Sequence, residues 1–311
     1  MLSRTASNLY WIGRYMERAE FTTRLIEATI RLNSLSMKAR ADQAWKSALA
    51  VVGETDGFAR TGENPTAFNV SRYLSLAEEN PNSVRACLGL ARDNARAARN
   101  SLSREGWEAI NRAWLTLRGR ASPGGAQAAL NMVEGVKAET LGFEGAVARM
   151  LRSEGYWFLR LGSVIERADN TARLLDVKYY ILLPEGEPVG GTLDRDQWTT
   201  ILHTVSARTA YRHLYTDALK PWLVADMLIF RRELPRSLAA AAAEAVDLLT
   251  AIGEATGRQG QADRLARDRE RKLQETDIRT VFQGGLHQYL QRFIRENAAV
   301  DRAIAAQFRF G

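Results

Sequence analysis

One pattern of thirteen residues occurs twice in this chain, and it constrains the fold more than any other feature of the sequence. The copies lie at residues 13–25 and 162–174 and read G-x-x-x-E-R-A-[ED]-x-T-x-R-L. Seven residues are identical at an offset of 149 positions, and Glu20 of the first copy corresponds to Asp169 of the second. Two such copies in one chain indicate an internal duplication.

The duplication extends beyond this pattern. Trp45 corresponds to Trp198 at an offset of 153, and the Pro-Asn-Ser corner at 81–83 corresponds to Pro-Arg-Ser at 235–237 at an offset of 154. Offsets that grow slowly along the chain indicate short loop insertions between two copies of one unit.

We therefore predict a single domain over residues 1–311, built from two repeats at about 1–150 and about 151–311. The turn-rich stretch at 184–192 (PEGEPVGGT) is the natural place to cut the chain.

The spacing of apolar residues predicts helices. In the first copy, Ile12, Met16 and Ala19 recur every three or four positions, and the series continues to Ile26 and Ile30. No convincing alternation with period two is present, so the predicted fold class is all-α. We expect a duplicated helical bundle with pseudo-twofold pairing of the two motif helices, each of which buries its apolar stripe against the other half.

Composition argues against several classes of partner. The net charge is +7, but 36 acidic residues are interleaved with 43 basic ones and no aromatic-basic binding motif accompanies them, so we predict no nucleic-acid binding. A single cysteine, Cys87, excludes an internal disulfide and indicates a reducing compartment. Neither an apolar signal core nor a long apolar span is present, and we expect a cytoplasmic protein without a membrane segment.

When each copy of the pattern forms a helix, its polar residues fall along one line of the helix surface, which we call the polar stripe. The pairs Glu20/Arg24 and Asp169/Arg173 have the i,i+4 spacing with the acid first, which favours an ion pair. If the two helices face each other, four carboxylates and several guanidinium groups converge. The candidate binding residues of both copies are Gly13, Arg14, Glu17, Arg18, Glu20, Arg24, Gly162, Glu166, Arg167, Asp169 and Arg173.

Two main interpretations of this stripe remain open. In the first, which the sequence favours, it is a structural ion-pair network that joins the two halves, because buried charges usually occur paired. In the second, it is a catalytic site in which Glu17 or Glu166 acts as general acid or base while arginines bind an anionic substrate.

No metal or cofactor is predicted. The i,i+3 spacing of the acids could suit a metal pair, but the usual bundle motif needs a Glu-x-x-His, and no histidine lies near either copy. The chain also lacks a glycine-rich phosphate loop, GxSxG and HExxH. Cys87 is expected in the core and not as a nucleophile.

At these repeats the sequence resembles the bacterial alpha-E family, an all-helical family named for its Glu-Arg motif. The resemblance rests on residues 1–4 and 8–20, the second copy at 165–175 and the tail at 285–310. One departure is Phe21, which stands where the second copy has Asn170.

The resemblance implies that this protein is associated with other proteins. Members of this family are typically encoded beside, or fused to, a circularly permuted ATP-grasp homologue of the carboxylate-amine ligase type, often with a transglutaminase-like protein nearby. It therefore implies a helical accessory component of an ATP-grasp-linked peptide or amide ligation or modification system, with no reaction of its own assigned. The alternatives are the enzyme described above and a pure interaction scaffold that docks a partner through exposed aromatic residues.

Overall fold

The computed structural model describes residues 1–34, 38–181 and 191–310. Within these ranges every regular element is helical and no strand is present, which confirms the all-α fold class. The turn-rich stretch at 184–192 lies almost entirely outside the described residues, so its role as a boundary stays a prediction.

The helices follow one another in two series. The first series is α1 (Ser3–Ser34), α2 (Lys38–Val51), α3 (Thr55–Ala59), α4 (Ala67–Ser75), α5 (Val84–Ala97), α6 (Arg104–Leu117) and α7 (Ala126–Ala148), with a short 3-10 turn (Arg99–Ser101) before α6. The second series is α8 (Glu154–Ile181), α9 (Thr192–Thr204), α10 (Arg208–Leu214), α11 (Pro221–Phe230), α12 (Leu238–Thr256), α13 (Gln261–Gln274), α14 (Ile278–Gly284) and α15 (Leu286–Phe308).

The order of the elements repeats between the two series. Helices α6 and α13 both have 14 residues, and α7 and α15 both have 23. Helix α1 packs on α5 and α7 as α8 packs on α12 and α15, and each motif helix also contacts the second helix of the other series. The pseudo-twofold relation between the two complete halves stays a prediction. The organisation of the chain as a single domain also stays a prediction.

Matching corners begin the helices α5 and α12. The hydroxyl oxygens of Ser83 and Ser237 accept hydrogen bonds from the backbone N–H groups of Ala86 (3.3 Å) and Ala240 (3.0 Å). Serine at this position satisfies a backbone donor that the first turn of a helix leaves without a partner. The repeated Pro-x-Ser sequence therefore fixes where both helices start. It also fixes the position of the residue between proline and serine relative to the start of the helix.

Helices α1 and α8 cross at the two motif glycines. A Cβ atom at Gly13 would lie 2.0 Å from the carbonyl oxygen of Leu159, and one at Gly162 would lie 1.9 Å from that of Tyr10. Any side chain at either position would force the helices apart. The first residue of each copy therefore sets the distance at which the remaining motif residues meet.

Candidate functional site

The Glu-Arg pair of each motif bonds to the Glu-Arg pair of the other. Arg167 donates to Oε2 of Glu17 through Nη2 at 2.7 Å, and Arg18 donates to Oε1 of Glu166 through Nε at 2.6 Å. The two glutamates are buried. Close pairing of this kind offsets part of the cost of removing the charges from water.

The ion pairs predicted within each motif helix are present. Nε of Arg24 lies 2.7 Å from Oε1 of Glu20, and Nε of Arg173 lies 2.6 Å from Oδ2 of Asp169. Each acid therefore has the arginine one turn further along the helix as a partner.

A further arginine closes the cluster at the first motif. Arg236, from the corner before α12, donates to Oε1 of Glu17 at 2.6 Å and to Oε2 of Glu20 at 2.9 Å. Arg167 also contacts Glu144 of α7 at 2.8 Å. All four carboxylate oxygens of Glu17 and Glu20 consequently accept hydrogen bonds from guanidinium groups.

The second motif has a different set of partners. Arg14 donates to Oε2 of Glu166 at 2.6 Å and also pairs with Asp301 of α15. The residue that corresponds to Arg236 is Asn82, whose Oδ1 accepts from Arg18 at 2.6 Å. Its amide nitrogen donates to Oε1 of the buried Glu54 at 2.8 Å. Asn82 thus extends the network toward Glu54 and does not reach Asp169.

A crevice of about 690 Å³, counted with the space that opens to solvent, lies beside this second cluster. Both arginine and acidic side chains line it. Its walls are formed by Arg18, Thr22, Val52, Gly53, Glu54, Asn82, Glu166, Asp169, Asn170 and Arg173. The side chains of Asp169 and Arg173 keep 20% and 38% of their surface exposed, so the crevice is accessible from solvent.

The two motif glutamates are held ionised. Burial opposes ionisation of both side chains, but Arg167 and Arg236 outweigh it at Glu17 and lower the pKa of that carboxyl group. Arg14 and Arg18 lower the pKa of Glu166 in the same way. A carboxylate that is buried, ionised and bonded through both oxygens is poorly suited to exchange protons with a substrate.

Asp169 behaves differently. Burial raises the pKa of Asp169, and the attraction of Arg173 offsets this only in part. Among the candidate acids of the two motifs, Asp169 therefore combines access from the crevice with a pKa shifted toward neutrality.

The acids that come closest to a metal-binding arrangement are Glu17, Glu20 and Glu144. One carboxylate oxygen from each lies within 4.8 Å of the others. Their oxygens already accept from Arg24, Arg167 and Arg236. A cation at this position would have to displace guanidinium groups that neutralise the same oxygens.

The structure brings all the predicted site residues to the crossing of α1 and α8 but divides the acids into two clusters. Glu17 and Glu20 belong to one cluster, and Glu166 and Asp169 to the other. Sequence reasoning did not identify Arg236 and Glu54 as members of these clusters. The repeated Pro-x-Ser corner is the signal that could have found Arg236, because its middle residue occupies the same place in both halves.

Cys87 lies in the core, as predicted. It is fully buried, and burial raises the pKa of its thiol to about 12. A thiol in this environment is unreactive.

The fold and the site define an all-helical protein with a duplicated Glu-Arg motif at the crossing of two long helices. The family model for Alpha-E, described as a predicted alpha-helical domain with a conserved ER motif, matches residues 1–308. The chain therefore belongs to the Alpha-E family. Neither a curated protein nor a solved structure gives a significant match. In the part of the chain that the structure describes, no helix is both long enough and apolar enough to cross a membrane.

Proposed function

We propose that this protein is a helical accessory component of an ATP-grasp-linked peptide or amide ligation or modification system, and that it acts by binding. Its expected partner is a circularly permuted ATP-grasp homologue of the carboxylate-amine ligase type, with a transglutaminase-like protein as a possible third member. A cytoplasmic location is part of this proposal.

The observation that carries the non-catalytic part of the proposal is the saturation of the motif glutamates. Both oxygens of Glu17 and both oxygens of Glu166 accept hydrogen bonds from arginines. The side chains of Arg167 and Arg236 are themselves largely buried, with 6% and 12% of their surface exposed. This arrangement supports a role in joining the two halves over a role for either glutamate as general acid or base.

The proposal is tested with the purified full chain and a circularly permuted ATP-grasp homologue from the same organism. We expect the two proteins to copurify. We also expect the ATP-grasp protein to release ADP and form an amide product faster when the helical protein is added. The helical protein alone should form no amide product from the same amine and carboxylate substrates. Amide formation by the helical protein alone, or the absence of both binding and rate change, would contradict the proposal.

A pure interaction scaffold is the second candidate, and exposed aromatic residues favour it. Phe68 of α4 and Trp222 of α11 occupy corresponding positions of the two series and are 48% and 46% exposed. Large aromatic side chains on a surface are frequent anchors of protein interfaces. If Phe68→Ala and Trp222→Ala abolish copurification with the ATP-grasp protein but the rate of amide formation never depends on the helical protein, the scaffold is the correct description.

A further inference from the structure

The two motifs differ at the position that corresponds to Arg236. In the first motif, this arginine reaches across the crossing and bonds to Glu17 and Glu20 together. In the second motif, Asn82 stands at the corresponding position, and its shorter side chain leaves Asp169 with Arg173 as its ion-pair partner among the described residues. The crevice lies where the second motif has no counterpart of the Arg236 guanidinium group.

The charges of the first cluster are balanced, whereas those of the second are not. The first cluster contains three carboxylates and three guanidinium groups, from Glu17, Glu20, Glu144, Arg24, Arg167 and Arg236. The second contains four carboxylates and three guanidinium groups, from Glu54, Glu166, Asp169, Asp301, Arg14, Arg18 and Arg173. The second cluster therefore carries one excess negative charge beside an open crevice.

Glu54 is the acid without a cationic partner in that cluster. It is 8% exposed, and its two side-chain oxygens accept from the hydroxyl of Tyr73 (2.9 Å) and the amide of Asn82 (2.8 Å). In the described part of the chain, no lysine or arginine forms an ion pair with it. A buried carboxylate bonded to neutral donors alone attracts a cation from solvent more strongly than a paired one does.

Asn170 gives independent evidence for a ligand. This side chain is 8% exposed and lines the crevice, and its Nδ2 has no hydrogen-bond partner among the described residues. Phe21, which occupies the corresponding position in the first motif, is instead part of the hydrophobic core. A buried amide donor without a partner is costly, and a bound oxygen acceptor removes that cost.

We propose that this crevice binds a small cationic molecule whose ammonium or guanidinium group occupies the place that Arg236 takes in the first motif. Asp169, the counterpart of Glu20, binds the cationic group together with Glu54, because both oxygens of Glu166, the counterpart of Glu17, already accept from Arg14 and Arg18. Asn170 and the terminal nitrogens of Arg173 donate to an oxygen acceptor on the same molecule. A free amino acid with a basic side chain has both features. This site is a property of the protein alone and goes beyond the association proposed above.

Isothermal titration of the full chain with agmatine and with L-arginine tests this proposal. Both probes carry a guanidinium group, and L-arginine adds a carboxylate. We expect saturable binding of each, with L-arginine binding more tightly. Sodium acetate is the anion control, and acetate binding without agmatine binding would overturn the proposal. The absence of binding of both cationic probes would also overturn it.

Three variants connect binding to the crevice. Glu54→Gln should weaken agmatine binding about tenfold or more, because a charged hydrogen-bond partner is lost. Asn170→Leu removes the donor and should bring the affinities for the two probes close to each other. Asp93→Asn, which removes an exposed acid that does not line the crevice, is the control and should bind as the wild type does.

Asn82→Arg decides the question if Glu54→Gln does not fold. It places in the second motif the residue that the first motif carries at Arg236, so the new guanidinium group should fill the site and abolish binding of both probes. A cooperative thermal transition, measured in parallel, checks that this variant folds. Unchanged probe binding by Asn82→Arg would show that the probes bind elsewhere and would overturn the proposal.

Discussion

At the scale of single residues, the Glu-Arg dipeptide of each motif helix forms ion pairs with the Glu-Arg dipeptide of the other. Glu17 bonds to Arg167 while its neighbour Arg18 bonds to Glu166. Adjacent residues on a helix point about 100° apart, so an acid and a base next to each other can contact different positions on a facing helix. Because both helices carry the same dipeptide, the glutamate of each helix meets the arginine of the other.

Replacement of Glu17 tests whether these reciprocal ion pairs stabilise the fold. Glu17→Gln removes the buried carboxylate that Arg167 and Arg236 share and leaves each arginine with one acid, Glu144 or Glu20. We expect a loss of about 3 kcal/mol in the free energy of unfolding, because the charged hydrogen bonds of Glu17 are lost. Urea denaturation monitored by circular dichroism measures it. Glu108→Gln, at an exposed pair with Arg104, is the control and should leave stability unchanged. A Glu17→Gln protein with wild-type stability would contradict a structural role.

The pH dependence of stability provides a second test of the paired glutamates. The folded-state pKa of Glu166 lies below its ordinary value of 4.5, because Arg14 and Arg18 outweigh the effect of burial. A group with a lowered folded-state pKa stabilises the fold fully above the unfolded pKa, and this contribution disappears as the pH falls through the folded pKa.

The stability difference between the wild type and Glu166→Gln should therefore be constant from about pH 7 to about pH 5.5 and shrink below about pH 4.5. Urea denaturation of both proteins across this range measures it. The raised pKa of Asp169 acts in the opposite direction, but its largest cause is burial, which is present in both proteins, and the charge of Glu166 adds only a smaller contribution in the wild type. A difference that grows as the pH falls would contradict the ionised state assigned to Glu166.

The sequence predicted part of this network and could not predict the rest. The pairs of Arg24 with Glu20 and of Arg173 with Asp169 follow from spacing along one helix, and both are present. The bond between Arg236 and Glu17 joins residues 219 positions apart. Such a contact depends on how far the chain has turned between the two positions, and local periodicity carries no information about that.

At the scale of the helices, the motif glycines matter because they have no side chain, and not because their backbone is flexible. Gly13 and Gly162 lie within regular helices, and each faces the backbone of the other helix. The absence of a side chain at both positions permits the close approach of the two backbones. The reciprocal ion pairs need this distance, since longer separation would place the guanidinium groups beyond reach of the buried acids.

Substitution of these glycines should show the effect. Gly13→Ala places a Cβ atom 2.0 Å from the carbonyl oxygen of Leu159, and we expect a loss of about 3 kcal/mol or more as the helices move apart. Gly142→Ala is the matched control, because, apart from the neighbouring backbone of α7 itself, no atom lies within 4 Å of its Cβ position. This control should gain about 0.5 to 1 kcal/mol from helix propensity. Thermal unfolding of both variants measures the changes, and a Gly13→Ala protein as stable as Gly142→Ala would contradict the crossing.

Helix ends were the most predictable elements, for reasons of local chemistry. Ser83 and Ser237 cap α5 and α12, and Gly285 ends α14, and in each case the residue type suits the local conformation. Gly285 has a φ of 91°, a conformation that favours glycine, and it separates α14 from α15. These features depend on neighbouring residues alone, which is why sequence reasoning locates them.

At the scale of the whole molecule, the interface between the two series contains charges that neither series can satisfy alone. Glu17 and Arg18 are paired with Arg167 and Glu166 of the other series, and all four lie at the crossing of α1 and α8. Separation of the halves would expose the apolar stripes of both helices together with these charges. This interdependence favours the organisation as one domain, which stays a prediction and is open to a direct test.

The test is to produce residues 1–150 and 151–311 as separate chains. We expect each chain alone to lack a cooperative thermal transition, because α1 or α8 loses its main packing partner. When coexpressed, the two chains should copurify and regain cooperative unfolding, and Glu17→Gln in the first chain should weaken their association. Circular dichroism and size-exclusion chromatography measure both outcomes. Cooperative unfolding of either chain alone would show that the repeats are independent domains, with the reciprocal Glu-Arg ion pairs as a contact between them.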